Sequence, residues 1–140
     1  MYPLQNRVIV ITGASGGMGR VLCRRLAQEG ALLALTSNDA PAMEALLKDL
    51  PQNTLARVFD IADERQVAAF FAEIRETFGG ADALLNLAGL SIPAQIAETR
   101  VEDYDLTMDV NLKGAFLASK HFAGVARENA QIISIGSMAA

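Results

Sequence analysis

The sequence predicts an α/β fold, a doubly wound parallel sheet with helices on both faces, and three observations carry that reading. Short apolar runs such as "VIVIT" (residues 8–12) alternate with longer stretches whose apolar residues recur at helical spacing. These runs are mostly apolar on both faces, as in strands covered on both sides, and do not alternate as a sheet with one wet face would. Glycines or helix-capping residues mark most changes from one element to the next. Right-handed crossovers then make 3-2-1-4-5 the simplest strand order.

The first strand, residues 8–12, runs into a glycine loop and a helix over 17–29, which carries Met18, Val21, Leu22 and Leu26 at helical spacing and stops at Gly30. A second strand at 32–36 leads to a helix over 41–50, with Pro41 in its first turn, and to a third strand at 55–60. Asp63 and Gln66 form a capping-box-like pair that opens the next helix. Its Val67, Phe70, Phe71, Ile74 and Phe78 share one face, and Gly79 and Gly80 end it. The fourth strand, 83–86, is followed by a loop through Pro93. Thr99 and Glu102 stand at capping-box spacing, predicting one long helix to about Glu128, and a fifth strand at 131–136 completes the pattern.

With 140 residues, 51% hydrophobic and 20% charged, the chain has the composition of one packed domain spanning 1–140. A domain of this size buries roughly 68–70% of its unfolded surface. The net charge of −4 leaves no basic footprint for nucleic acid. No apolar run reaches the roughly 18 residues a membrane span needs, and "MYPLQNRVIVITG" is too short in its apolar part for a signal-peptide core. The expected location is cytoplasmic. Cys23 lies among Val21, Leu22 and Leu26 and reads as a small core hydrophobe. His121 has no partner at metal-ligand or triad spacing, and no metal is expected.

The loop after the first strand, "TGASGGMGR", places Gly13, Gly17 and Gly19 at G-x-x-x-G-x-G where a helix begins. A helix start offers unpaired N–H groups and partial positive charge, and glycines let a phosphate approach them closely. A Walker A loop is excluded, because it would need glycine at Met18 and lysine at Gly19; the G-x-G-x-x-G spacing is not met either. A glycine turn alone could be a plain strand-to-helix connection. Its position adds weight, since in a doubly wound sheet ligands bind beyond the carboxyl ends of the strands at the switch point. There the first strand ends in this loop and the fourth in "NLAG", Asn86 to Gly89.

In these residues the chain resembles the classical short-chain dehydrogenase/reductase family. That family's T-G-x-x-x-G-x-G matches Thr12, Gly13, Gly17 and Gly19. Its N-N-A-G matches Asn86, Ala88 and Gly89, with Leu87 departing at the second asparagine. Its aspartate after the third strand matches Asp60, beside Ile61; its helix asparagine matches Asn111 in "DVNLKGAF"; its serine after the fifth strand matches Ser137 in "SIGS". The resemblance implies NAD or NADP across the strand ends of a Rossmann fold, with Ser15, Gly17 and Met18 near the ribose and pyrophosphate and Asp60 holding the adenine. It further implies Ser137 on the oxygen of a small alcohol or carbonyl substrate, and Asn111 holding a water in a proton relay. An acid about 20 residues past the loop would bind the ribose 2′-hydroxyl and repel a 2′-phosphate. Ser37 and Asn38 stand there, with Asp39 one step late. The absence of an acid at Ser37 leans to NADP, although no arginine stands at Asn38 and no basic residue at Gly16.

The resemblance gives proton transfer to a tyrosine in Y-x-x-x-K, a motif this sequence lacks: Tyr104 is followed four residues later by Met108, and Tyr2 lies near the start. A positioned acid or base contributes typically about 10²- to 10⁴-fold. The chain is therefore expected to be the cofactor-binding, catalytically incomplete part of an NAD(P)-dependent oxidoreductase, cut short at its carboxyl end. A non-catalytic nucleotide-binding module or sensor is the main alternative, and a purely structural domain a further one. Ser137 could also simply close a strand, and Asn111 make a polar core contact. Asn111 sits in a helical stripe of Val101, Tyr104, Met108, Leu112, Ala115 and Phe116. Leu106, Val110 and Leu117 form a second apolar set, explained by ordinary packing or, as the resemblance implies, by a homo-oligomer interface along residues 101–128.

Overall fold

The computed structural model describes residues 4–137; Tyr2 and the last three residues lie outside them. Five parallel strands, β1 (Val8–Thr12), β2 (Leu32–Ser37), β3 (Leu55–Val58), β4 (Ala81–Asn86) and β5 (Ala126–Ser134), form one sheet in the order β3-β2-β1-β4-β5. This is the predicted topology, and all five residues of β1 are buried, as a strand covered on both faces requires. Helices α1 (Gly17–Gln28) and α2 (Ala40–Leu47) cover one face, where Ile9, Ile11, Cys23, Leu33, Leu35, Met43 and Leu46 pack together. On the other face, α3 (Glu64–Phe78) and α5 (Ala115–Ala123) meet Val8, Val10 and Leu84 through Phe70, Phe71, Ile74, Leu117 and Phe122.

Local chemistry sets most boundaries. Gly30 has φ 84 after α1, and Gly79 has φ 73 at the end of α3, a conformation only glycine adopts at little cost. Asp39 caps α2 by accepting from Ala42 N, with Pro41 in the first turn. Asp63 accepts from the main-chain N–H groups of Arg65 and Gln66, and the Gln66 amide donates back to its carboxylate. Those bonds hold the Asp63 carboxyl below the ordinary carboxylate range.

Several elements depart from the sequence reading. Helix α2 ends at Leu47 and β3 at Val58, both short of the expected limits. Met18 and Val21 face outward; the inner face of α1 is Gly19 and Cys23, and burial pushes the Cys23 thiol up to about 12. The second capping box does not form. Arg100 is the cap residue, and the Thr99 hydroxyl donates to the Gln95 carbonyl at 3.0 Å.

The long helix is also divided: α4 (Val101–Met108) passes into a π-helical segment at Asp109–Gly114 and then into α5, which ends at Ala123 instead of near Glu128. Residues 126–130, "ARENA", suit a helix by propensity, but tertiary pairing overrides that preference. Ala81 N donates to Val125 O, Ala126 pairs with Ala81, and Arg127 reaches Asp82 and the Phe78 carbonyl. The chain then bulges through Asn129, at φ 62, before Gln131 resumes the ladder opposite Ala83. Of the second apolar set, Leu117 is buried and Val110 packs on the core, whereas Leu106 is exposed. The stripe of Val101, Tyr104, Met108, Leu112 and Phe116 faces solvent; Leu112 and Phe116 are each 61% exposed.

Candidate active site

The carboxyl ends of the strands meet in a cavity of about 260 Å³, lined by residues of the β1–α1 loop, the end of β2, residues 59–61, residues 87–90 and Val110. Thr12 ties the two turns that flank it. Its buried hydroxyl accepts from the N–H groups of Leu87 and Ala88, at 3.2 and 3.1 Å, fastening the β4 turn to the end of β1. Gly13, at φ 66, packs so closely on this turn that a Cβ would stand 2.7 Å from Ala88 N. Gly19 lets α1 start directly over the loop, since a Cβ there would meet the carbonyl oxygens of Gly13 and Ala14 at 2.4 and 2.6 Å. These two glycines serve close packing of protein on protein.

Gly17 differs, because a Cβ on it would meet nothing within 4 Å. It opens α1, at the end where N–H groups lack intrahelical partners, and so presents open space over a helix N-terminus. At the end of β2, Ser15 and Ser37 hydroxyls lie 2.5 Å apart, and Ser37 Oγ also accepts from Asp39 N at 3.1 Å. Ala14 N donates to Thr36 O at 3.0 Å, which pins the loop to the end of β2. Thr36 Oγ1 is buried on the cavity wall with no hydrogen-bond partner among the described residues. An open helix start, a wall of hydroxyls and an orphaned buried hydroxyl suit the phosphates and ribose of a dinucleotide.

The expected cofactor residues therefore divide by position. Gly13, Ser15, Ser37, Asn38, Asp60, Ile61, Ala88 and Gly89 line the cavity; Gly17, Met18 and Gly19 form the adjoining helix start. Asn86 is buried below it, its amide donating to Ser119 Oγ at 3.3 Å and Ser134 Oγ at 3.2 Å, which joins β4 to α5 and β5. Asp60 Oδ1 accepts from Ala62 N and so holds its own turn. Sequence reasoning did not single out Thr36, Phe59, Leu90 or Val110 as cavity residues. Val110 could have been found from its place one residue before Asn111; Leu90 follows a motif but has no chemical signature of its own.

Asn111 lies in the π-helical segment and clamps the loop after β4. Its Oδ1 accepts from Leu90 N and its Nδ2 donates to Leu90 O, both at 2.8 Å. The wide turn is the local distortion that often marks functional positions in helices. Gly114, at its end, packs against Ile61, whose Cγ2 would lie 2.7 Å from an added Cβ. Ser137 is exposed, three residues past the end of β5, and Ile135 N donates to Asn86 O just before it. It stands at the cavity's end of the sheet but is not among the residues lining the cavity. Among the described residues, no helix is long and apolar enough to cross a membrane.

Comparison with known proteins agrees with this architecture. The sequence profile of the short chain dehydrogenase family matches residues 7–140. The chain is 32% identical over 141 aligned residues to the (2S)-[(R)-hydroxy(phenyl)methyl]succinyl-CoA dehydrogenase subunit BbsD of Thauera aromatica, covering 97% of this chain and 57% of that one. It is 34% identical to the meso-2,3-butanediol dehydrogenase of Serratia marcescens, over 82% of this chain and 46% of the relative. Among solved structures, a short-chain dehydrogenase/reductase of the glucose/ribitol dehydrogenase type from Brucella melitensis superposes with a TM-score of 0.94 at 29% identity, covering 99% of this chain and 60% of that one. Another from Serratia marcescens gives 0.90 at 32% identity, over 97% and 57%. The chain thus spans about half the length of the curated relatives it matches. On sequence, topology and superposition together, the chain belongs to the short-chain dehydrogenase/reductase family.

Proposed function

We propose that the protein is an NAD(P)-dependent oxidoreductase acting on a small alcohol or carbonyl compound, with residues 4–137 supplying the cofactor crevice. The observation that carries this is the open space over Gly17 at the start of α1, next to a cavity whose wall includes Ser15, Thr36 and Ser37. Bound there, the nicotinamide supplies or accepts the hydride. The N–H groups at the start of α1 then hold the pyrophosphate, Ser15, Ser37 and Asn38 face the ribose, and Asp60 and Ile61 flank the adenine. Ala88 and Gly89 form the opposite wall, and Asn86 braces it from below. Ser137 hydrogen-bonds the substrate oxygen, and Asn111, by fixing Leu90, holds the loop beside the proton relay.

Residues 1–140 contain no Y-x-x-x-K, so by themselves they lack the proton-transferring pair of the family. That observation favours a second reading, a nucleotide-binding module without chemistry. The exposed stripe of Val101, Tyr104, Met108, Leu112 and Phe116 supports self-association through α4 and α5, which sedimentation of the parent and a Leu112→Glu variant would read as a change in mass. The lean to NADP rests on the missing acid at Ser37. Titration with reduced nicotinamide dinucleotides, followed by nicotinamide fluorescence, should show saturable binding, and a folded sample that binds neither would overturn the proposal. Hydride transfer by the 140-residue chain should be undetectable under the same conditions; turnover by that chain would place the proton-transfer group within these residues.

A further inference from the structure

The last rung of the sheet differs from the one two residues below it. Thr36, Thr12, Asn86 and Ser134 stand in register across β2, β1, β4 and β5. Two residues earlier the corresponding row reads Ala34, Val10, Leu84 and Ile132, all apolar. Side chains two apart along a strand share a face, so the polar rung lies on the face of Val10 and Leu84, which α5 covers with Leu117 and Phe122. Burial is also least well compensated in this rung. Thr36 Oγ1 and Asn86 Oδ1 are the buried side-chain atoms left without a hydrogen-bond partner among the described residues. An apolar rung would avoid that cost, so stability alone does not account for the polar one.

The contacts of Asn86 supply another reason, because it holds β5 twice. Its carbonyl oxygen accepts from Ile135 N at 3.2 Å, and its Nδ2 donates to Ser134 Oγ at 3.2 Å, just before the chain runs on to Gly136 and Ser137. Nδ2 also donates to Ser119 Oγ at 3.3 Å, and the Ser119 hydroxyl is itself aimed by donating to Ala115 O at 2.7 Å. Two serine oxygens, one from α5 and one from β5, thus set the orientation of a single amide. Beyond Asn86 the chain enters the turn that lines the crevice, and Thr12, its neighbour in the rung, accepts from Leu87 N and Ala88 N. The crevice wall and the tail of β5 therefore leave the sheet from one bonded rung. We propose that Ser134 and Ser119 are positioning residues: acting through Asn86, they hold the tail that carries Ser137 in fixed relation to the wall at residues 87–89. What this does for a bound dinucleotide rests on the crevice being its site.

The test is amide hydrogen exchange, read residue by residue on the parent and three variants, with NADH binding followed by nicotinamide fluorescence on the same samples. In Ser134→Ala the Ile135 amide should exchange about fivefold faster, the effect of one lost hydrogen bond, while the Val10 amide inside the sheet keeps the parent rate. Ser134→Thr retains the oxygen and suits a strand, so it should restore the parent rate. Ser119→Ala leaves β5 unaltered and should also speed exchange at Ile135. Saturating NADH should slow the Ile135 amide in the parent and in Ser134→Thr, and much less in Ser134→Ala. An Ile135 rate unchanged in Ser134→Ala, or not restored by threonine, overturns the proposal. So does a rise of the same size at Val10, which would make the serines general supports of stability. If Ser134→Ala does not fold, Ser119→Ala decides by the same two amides. Equal slowing by NADH in Ser134→Ala, or none in a parent that binds NADH, overturns the link to the crevice wall. A folded parent that binds no NADH removes the dinucleotide site, and the rates in the free protein still decide the role of the serines.

Discussion

Alanine placed at Gly19 and at Gly17 separates two uses of glycine in one loop. At Gly19 the added Cβ would stand 2.4 Å from Gly13 O and 2.6 Å from Ala14 O, both main-chain atoms. Helix α1 would have to retreat by about 1 Å to restore ordinary contact, and overpacking of this kind costs about 1–3 kcal/mol. Better helix propensity returns at most about 1 kcal/mol. The net loss of about 1–2 kcal/mol corresponds to a Tm lower by roughly 4–8 °C for a domain near this size. At Gly17 nothing lies within 4 Å, so alanine should leave Tm within about 2 °C of the parent. It should instead weaken dinucleotide binding about tenfold, by keeping the phosphates off the helix start. Calorimetry with fluorescence titration reads both quantities on the same samples. The packing argument is refuted if Gly19→Ala melts with the parent, and the phosphate argument if Gly17→Ala binds as tightly as the parent.

Other expectations follow from single side chains. Asp82, with only 11% of its side chain exposed, accepts from Val8 N, Arg7 and Arg127, each at 2.8 Å, joining the starts of β1, β4 and β5. Burial pushes its carboxyl up, but those donors outweigh burial and hold it below the usual carboxylate range. Its contribution is therefore complete above the unfolded-state value near about 4 and is lost as pH falls through the lower folded value. Asp82→Asn should cost about 1–3 kcal/mol at neutral pH and flatten the acid side of the stability curve, measured by urea unfolding between pH 7 and 3. A parallel downward shift at every pH would contradict this account. Thr12→Val keeps the shape but strips the N–H groups of Leu87 and Ala88 of their acceptor. A loss of about 1–3 kcal/mol is expected, with faster hydrogen exchange at those two amides; unchanged exchange would deny the hydroxyl its role.

Much of the fold was legible because the signals were local and physical. Apolar runs gave the strands, the aromatic stripe of α3 lies on the core as its spacing predicted, and Gly30 and Gly79 end helices where left-handed backbone is needed. The division of 101–128 was not legible. Thr99 and Glu102 have the spacing of a capping box, but the Thr99 hydroxyl is drawn to Gln95 O. Residues 126–130 favour a helix until pairing with β4 and the reach of Arg127 to Asp82 are counted. Periodicity also misplaced Met18 and Val21, because α1 turns its glycine and cysteine inward to approach the sheet closely.

The sequence by itself determined the strand order and the glycine loop, and it pointed to the ends of β1 and β4 as the place to look for a ligand. These depend on residue type and spacing, which are properties of neighbours along the chain. Only the tertiary structure decided what each motif residue does there. Gly13 and Gly19 admit protein atoms where Gly17 leaves space, Asn86 braces two strands and a helix, and Asn111 grips Leu90 from a π-helical turn. The same holds for Ser37, whose hydroxyl meets that of Ser15, 22 positions earlier in the sequence, and accepts from Asp39 N. Such roles arise from contacts between segments far apart in sequence, and local spacing carries no record of them.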